Sequence, residues 1–329
     1  MRRGPMLRLV LGLLVSVAFL ALVLARVDLA EVGAALRSAN VTLLFIALGV
    51  VAVDLLVRAF RWRVLLEAIV PNPPSVVRAA SYLTIGYMAN AILPARLGDV
   101  ARAYLAGTAF GAARLATFGT VMVERVSDGL AMVALALLSS LVVVSVAQVR
   151  DLQAQAVALV VAGFTALGIA WLALRRGPLA RTRPGAVVRG LLDRLGAGAG
   201  ALGSPRGAAL VVGATAAAAT TAAIVWATVA GAVGLSLAPE QVLLVSSGTA
   251  LSMAIPAAPS SLGTFEFVGV LILTGFGATP EVGLAAVLLV RLVATVPMAL
   301  VGLVVTWATH LRPSAMFAPP APGGGEPPR

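Results

Sequence analysis

The stretch Gly86-Tyr-Met-Ala-Asn90-Ala-Ile-Leu-Pro94-Ala-Arg96-Leu97-Gly98-Asp99 interrupts an otherwise membrane-like sequence. A second stretch repeats its pattern: Gly248-Thr-Ala-Leu-Ser252-Met-Ala-Ile-Pro256-Ala-Ala-Pro259-Ser-Ser-Leu262-Gly263-Thr-Phe-Glu266. In each, a Gly stands eight positions before the Pro and a small polar residue stands four before it. Each resumes with Leu-Gly, and an acid follows. Paired breaks at corresponding places in two halves of an apolar chain point to a binding site near the bilayer midplane.

Outward from these stretches the chain is apolar. It is 60% hydrophobic and 11% charged, against about 25% charged in average soluble domains. This composition predicts an all-α polytopic membrane protein. Spans need roughly 20 apolar residues each. Candidates fall near 7–25, 41–57, 127–147, 156–174, 207–233 and 283–309. The interrupted stretches, near 76–107 and 240–277, are too long for one span and are broken at Pro and Gly. The first span follows Arg2, Arg3 and Arg8, but Val23-Leu24-Ala25 is a poor cleavage site, so an uncleaved helix is expected rather than a signal peptide.

All 24 basic residues are Arg, and the net charge is +11. The Arg residues cluster between apolar segments, which fits topology better than nucleic-acid binding. With no Lys, a Schiff-base lysine and a P-loop are excluded. With no Cys, disulfides and thiol catalysis are excluded. The single His, His310, builds no ordinary zinc site, so no metal, cofactor or enzymatic activity is expected. An Arg-only composition rich in Ala, Gly and Val suggests a bacterial source.

The positive-inside rule places both termini and the segments 58–78 and 175–206 in the cytoplasm. The first hairpin then enters from the cytoplasm and the second from outside. That is an inverted repeat, with halves near 1–147 and 156–311 inside a single domain spanning 1–311. The Arg- and Gly-rich stretch 175–206 reads as a flexible linker, and the Pro/Gly-rich 312–329 as a disordered tail.

Several charged residues invite chemistry. Asp54 and Arg58 share a helix face, as an interfacial ion pair or as part of a site. Arg61-Trp62-Arg63 reads as interfacial anchoring or headgroup contact. Asn90, Arg96, Asp99 and Arg102 cluster around Pro94 and Gly98. Arg96 offers a planar fork suited to phosphate, or else serves topology in a loop. Glu124 and Asp128 repel unless an Arg lies between them, and Arg96 or Arg58 is the expected partner. The alternative is a helix N-terminus that favours acids. Glu266 and Arg291, each costly alone in hydrocarbon, are expected to pair. Pro94, Gly98, Pro256, Pro259 and Gly263 are the expected hinges.

Four motifs in order carry a resemblance. They are Arg58-x-x-Arg61-Trp62, Asn90-x-x-x-Pro94-x-Arg96-x-Gly98-Asp99-x-x-Arg102, Glu124-Arg125-x-x-Asp128 and Pro259-x-x-Leu262-Gly263-x-x-Glu266. Over about 40–311 the chain resembles the transmembrane-region family of lysylphosphatidylglycerol synthases, the flippase-like membrane proteins. The resemblance implies broken helices around a lipid-accessible cavity. Bifunctional members flip an aminoacylated phospholipid made by a C-terminal synthetase domain. This sequence continues only briefly past its last span, so lipid aminoacylation is not expected of it. Asp99 stands where the family commonly has Glu, and Ser260-Ser261 where it commonly has Gly-Gly.

The reading is therefore a protein of the bacterial cytoplasmic membrane that binds and translocates an anionic lipid, either a phospholipid or a polyprenyl-phosphate-linked one. Arg58, Arg96 and Arg102 would hold the phosphate, and Asp99, Glu124, Asp128 and Glu266 would balance them. The alternatives are a non-transporting accessory subunit of a cell-envelope or glycosyltransferase enzyme, and a secondary transporter of a small anion.

Overall fold

The computed structural model describes the backbone of residues 3–93, 97–143, 190, 192–253 and 261–309, and side chains from Leu14 onward. Pro94, Arg96, Pro256, Pro259, the expected span at 156–174, the division between halves and the tail lie outside these residues.

Among the described residues the chain is helical. Helix α1 spans Arg3–Leu24, α2 Leu29–Arg37 and α3 Val41–Leu66. Helices α4 (Val76–Ile92) and α5 (Leu97–Phe110) form the first hairpin, and α6 spans Arg114–Val143. Helix α7 spans Pro205–Ala232, α8 (Pro239–Ser252) and α9 (Thr264–Gly275) form the second hairpin, and α10 spans Pro280–Ala308. Side-chain caps start several of them: Asn40 accepts from Leu43 N, Ser75 from Arg78 N and Ser204 from Gly207 N. Each cap satisfies a backbone donor that the first turn leaves free.

Helices α3, α6, α7 and α10 are long and apolar enough to cross a membrane. At 1.5 Å per residue, α4 and α5 reach only about 26 and 21 Å, short of a hydrocarbon core of about 30 Å. They are arms of a hairpin that enters and returns.

Both arms start from one face. Arg63 Nε donates to the Pro74 carbonyl at 3.1 Å, and the Tyr82 and Phe110 rings pack at 5.0 Å. Trp62 Nε1 donates to Thr120 Oγ1 at 2.9 Å, which brings the end of α3 beside the start of α6. The second hairpin starts from the opposite face. There the Asn40 amide donates to the Ala232 carbonyl at 2.8 Å, joining the start of α3 to the end of α7. The start of α10 lies on that face too, where Glu281 accepts from the Asp28 amide at 3.4 Å.

Helices α3 and α7 pack along their lengths and run antiparallel, since Arg61 meets Thr215 while Asp54 meets Thr221. Each immediately precedes the hairpin of its half, so the halves are inverted. Exchanging them reproduces the packing: α4 lies on α10 as α8 lies on α6, and the arms pair as α4 with α5 and α8 with α9. Helices α1 and α2 pack on α9 and α10 respectively.

Two expectations change. The span expected at 127–147 begins at Arg114, which moves Glu124 and Asp128 from a helix start to its interior. The helix dipole therefore does not explain them. Part of the expected flexible linker is also fixed. A Cβ on Gly198 would stand 2.3 Å from the Thr120 amide nitrogen, and one on Gly119 would stand 2.1 Å from the Leu195 carbonyl. Glycine at both positions lets the segment lie directly on α6.

Candidate functional site

The second arms of the hairpins meet the long helices at mid-depth. Arg125 is the twelfth residue of α6 (125 − 114 + 1 = 12), and it pairs with Asp99 in the first turn of α5 at 3.0 Å. Arg291 is the twelfth residue of α10 (291 − 280 + 1 = 12), and it pairs with Glu266 in the first turn of α9 at 2.6 Å. The two ion pairs occupy equivalent places in the inverted halves. Glu266 also accepts from the Gly263 amide at 2.7 Å, and the Arg291 guanidinium lies 4.8 Å from the centre of the Phe265 ring.

Around Asp99 the first half builds a much larger network. Arg58 pairs with Asp54 at 2.7 Å and with Asp128 at 3.5 Å. Arg61 pairs with Asp128, lies 3.5 Å from Glu124, and donates to Thr215 of α7 at 3.0 Å. Arg102 pairs with Glu124 at 2.7 Å and stacks over the Trp62 ring at 4.5 Å. Asn90 donates to Asp99 at 3.3 Å, and Thr221 of α7 donates to Asp54 at 2.7 Å. Eight charges thus form one contiguous cluster, since charges at this depth persist only when paired.

The cluster has a buried floor and an open side. Arg61, Arg102 and Glu124 are sealed, whereas Asp54, Arg58, Asp128 and Arg125 keep 20–28% of their side-chain surface. On the floor, Nε and Nη1 of Arg102 and Nε of Arg61 are buried without a hydrogen-bond partner among the described residues. A buried donor left unmade costs roughly 1–3 kcal/mol, and more in a charged group. These nitrogens are the free valences of the site, and they suit an oxyanion.

Glycine sets how closely the first hairpin closes. A Cβ on Gly98 would stand 2.2 Å from the Gly86 carbonyl oxygen and 2.6 Å from the Asn90 amide, and the stem of Arg102 covers Gly86. Gly98→Ala must therefore spread α4 from α5. Overpacking typically costs about 1–3 kcal/mol. We expect the unfolding temperature of the purified protein to fall by that equivalent, while Gly49→Ala, with nothing within 4 Å, leaves it unchanged. Gly263 works differently. Its φ is +90°, a conformation that excludes most side chains, and a Cβ there would meet the Ser16 carbonyl oxygen at 2.4 Å.

The structure thus brings together Arg58, Asn90, Asp99, Arg102, Glu124 and Asp128. Glu266 and Arg291 form a separate pair in the second half. Arg61 and Trp62, read from sequence as interfacial anchoring or headgroup contact, and Arg125, quoted there only within its motif, belong to the same cluster. Arg61 and Trp62 are not interfacial anchors, since their exposures are 1% and 0%. Asp54, Arg58 and Arg61 fall at i, i+4 and i+7, one helix face, and that spacing was the available signal. The partner expected for Asp128 is present in Arg58, while Glu124 is held by Arg102 and Arg61.

This arrangement of inverted hairpins and mid-depth ion pairs covers the same residues that a family pattern matches, 9–302, described as the lysylphosphatidylglycerol synthase TM region. The chain belongs to that family. No curated protein matches it significantly. Membership makes the chain an integral membrane protein of a family linked to lipid handling.

Proposed function

We propose that the protein binds an anionic lipid by its phosphate at the Arg102 floor and carries it across the bacterial cytoplasmic membrane. The lipid is a phospholipid or a polyprenyl-phosphate-linked one. The observation that carries this reading is the sealed Arg102 guanidinium, held by Glu124 and Trp62 at mid-depth with two nitrogens unpartnered among the described residues. A soluble anion in this place would have to shed its full hydration shell. A lipid phosphate already lies at the membrane boundary, and its tails remain in hydrocarbon. Arg58 and Arg125, at the open side, guide the headgroup inward. The carboxylates offset the guanidinium charges. The chain alters no bond of its lipid. The Arg-rich face at which the first hairpin enters is cytoplasmic by the positive-inside rule.

Proteoliposomes holding nitrobenzoxadiazole-labelled phosphatidylglycerol test the reading. Dithionite added outside should bleach label beyond the outer-leaflet pool when the protein is present. Labelled phosphatidylcholine in the same vesicles should stay near the protein-free level. Equal transfer of both lipids, or transfer of neither, contradicts the proposal.

A further inference from the structure

Helix α4 is the first arm of the first hairpin, and its faces are defined by what they meet. Thr84 and Met88 face α10, where a Cβ on Gly302 would stand 2.3 Å from the Thr84 carbonyl oxygen and 2.8 Å from the Met88 Cβ. Gly86 faces the stem of Arg102, and Asn90 donates to Asp99 at 3.3 Å. Tyr87 stands one turn before Asn90, at i, i+3, on the face that borders the charge cluster. Its half-buried ring packs against both apolar clusters, one built largely by α3, α7 and α10 and the other by α3, α4 and α5. Leu55, beside Asp54 and one turn ahead of Arg58, packs against the same two.

The polar end of Tyr87 enters the site. Its phenol lies within electrostatic reach of Arg58, Arg125, Arg102 and Glu124. Tyr87 thus spans from the Arg102 floor to Arg58 and Arg125 at the open side. A guanidinium offers donors only. Toward these three Arg residues the phenol oxygen can act only as an acceptor, which leaves its O–H for an acceptor. Of the Glu124 oxygens, Oε2 accepts from Arg102 and Oε1 lies 3.5 Å from Arg61. An oxyanion on the Arg102 nitrogens that lack a partner among the described residues brings the complementary group, oxygens that accept from several donors at once.

We propose that Tyr87 is a phosphate-binding residue, its hydroxyl donating to a non-bridging oxygen of the phosphate that Arg102 holds. Arg102 stands on α5 and Tyr87 on α4, so the headgroup ties the two arms of the hairpin together. The hydroxyl is a neutral donor beside three cations. It strengthens the hold on the anion without adding another charge to be balanced when the ligand leaves. This inference rests on the lipid reading above.

The chain holds three tyrosines, Tyr82, Tyr87 and Tyr104, so fluorotyrosine incorporation gives three fluorine NMR resonances. Tyr82 packs on Phe110 at 5.0 Å, and the Arg114 guanidinium lies 4.1 Å from the centre of the Tyr104 ring. These two report on the face at which the hairpin enters. In dioleoylphosphatidylcholine nanodiscs, a share of dioleoylphosphatidylglycerol should shift the Tyr87 resonance well beyond the other two, and Arg102→Gln should abolish that shift. Tyr87→Phe keeps the ring and its packing, so its unfolding midpoint should match that of the unaltered chain. Its affinity for phosphatidylglycerol should fall roughly tenfold, the worth of one hydrogen bond to a charged group. Tyr82→Phe should bind like the unaltered chain. A Tyr87 resonance that moves no more than those of Tyr82 and Tyr104 overturns the proposal, as does Tyr87→Phe with full affinity. In either case, binding by the unaltered chain leaves the lipid reading standing. An unaltered chain that does not bind phosphatidylglycerol removes that reading, and the role of Tyr87 with it. Should Tyr87→Phe fail to fold, the resonances decide alone, since Tyr82→Phe and Tyr104→Phe assign the third by elimination.

Discussion

Glu124→Gln lowers the unfolding free energy of the detergent-solubilised protein by about 3–5 kcal/mol, the usual penalty for removing one partner of a buried ion pair. The cause is local. Glu124 is 2% exposed and is the carboxylate that Arg102 and Arg61 share. Without its charge, two sealed guanidiniums face each other across one amide. A thermal melt should register a large fall in midpoint. Glu31→Gln, on the exposed face of α2, should move it by no more than about 0.5 kcal/mol equivalent, as ordinary surface changes do. The double variant Glu124→Gln/Arg102→Gln should lose less than the sum of its single changes, because it removes both members of one pair. Strict additivity, or an unchanged midpoint in Glu124→Gln, contradicts the ion-pair account.

Arg102→Lys weakens anionic-lipid binding at least about tenfold, nearly as much as Arg102→Gln. Hydrogen bonds to charged groups contribute about 1.5–3 kcal/mol each, and tenfold in affinity is about 1.4 kcal/mol. An ammonium keeps the charge but loses the planar fork that pairs with Glu124, stacks on Trp62 and still presents free N–H edges. Titration of phosphatidylglycerol into the protein in zwitterionic nanodiscs should show the loss. Arg37→Lys, on the exposed side of α2, should bind like the unaltered chain. Wild-type affinity in Arg102→Lys would mean that only charge matters there, and the phosphate would have to be reassigned to Arg58 or Arg125.

Much of the fold is legible in the chain, for physical reasons tied to particular residues. Hydrocarbon demands long apolar runs, so α3, α7 and α10 stand out in composition. Gly and Pro punctuate backbone, so the hairpins show as paired breaks at Gly98 and Gly263. Lone charges in apolar helices must find partners, which is why Glu266 with Arg291 and Asp54 with Arg58 can be paired on paper. What is not legible depends on where a helix begins. Read as starting at 127, α6 makes Glu124 a terminal acid. Starting at Arg114, it makes Glu124 a core residue with two Arg partners. Arg61 shows the same limit. Arg beside Trp is common at interfaces, and only the packing of α6 and α7 against the end of α3 turns it inward. The packing of α1 on Gly263 leaves no pattern in the sequence, because a carbonyl packed on a glycine has no side-chain signature.

The central claim is that the Arg102 floor holds a lipid phosphate at mid-depth. Its most direct test is the lipid that stays with the protein through mild solubilisation, identified by mass spectrometry for the unaltered chain and for Arg102→Gln from the same membrane. The expected result is enrichment of one phosphate-bearing anionic lipid over its share of the membrane, lost in Arg102→Gln while the variant remains folded. The same lipid profile in both proteins, or a profile that merely mirrors the membrane, would contradict the account.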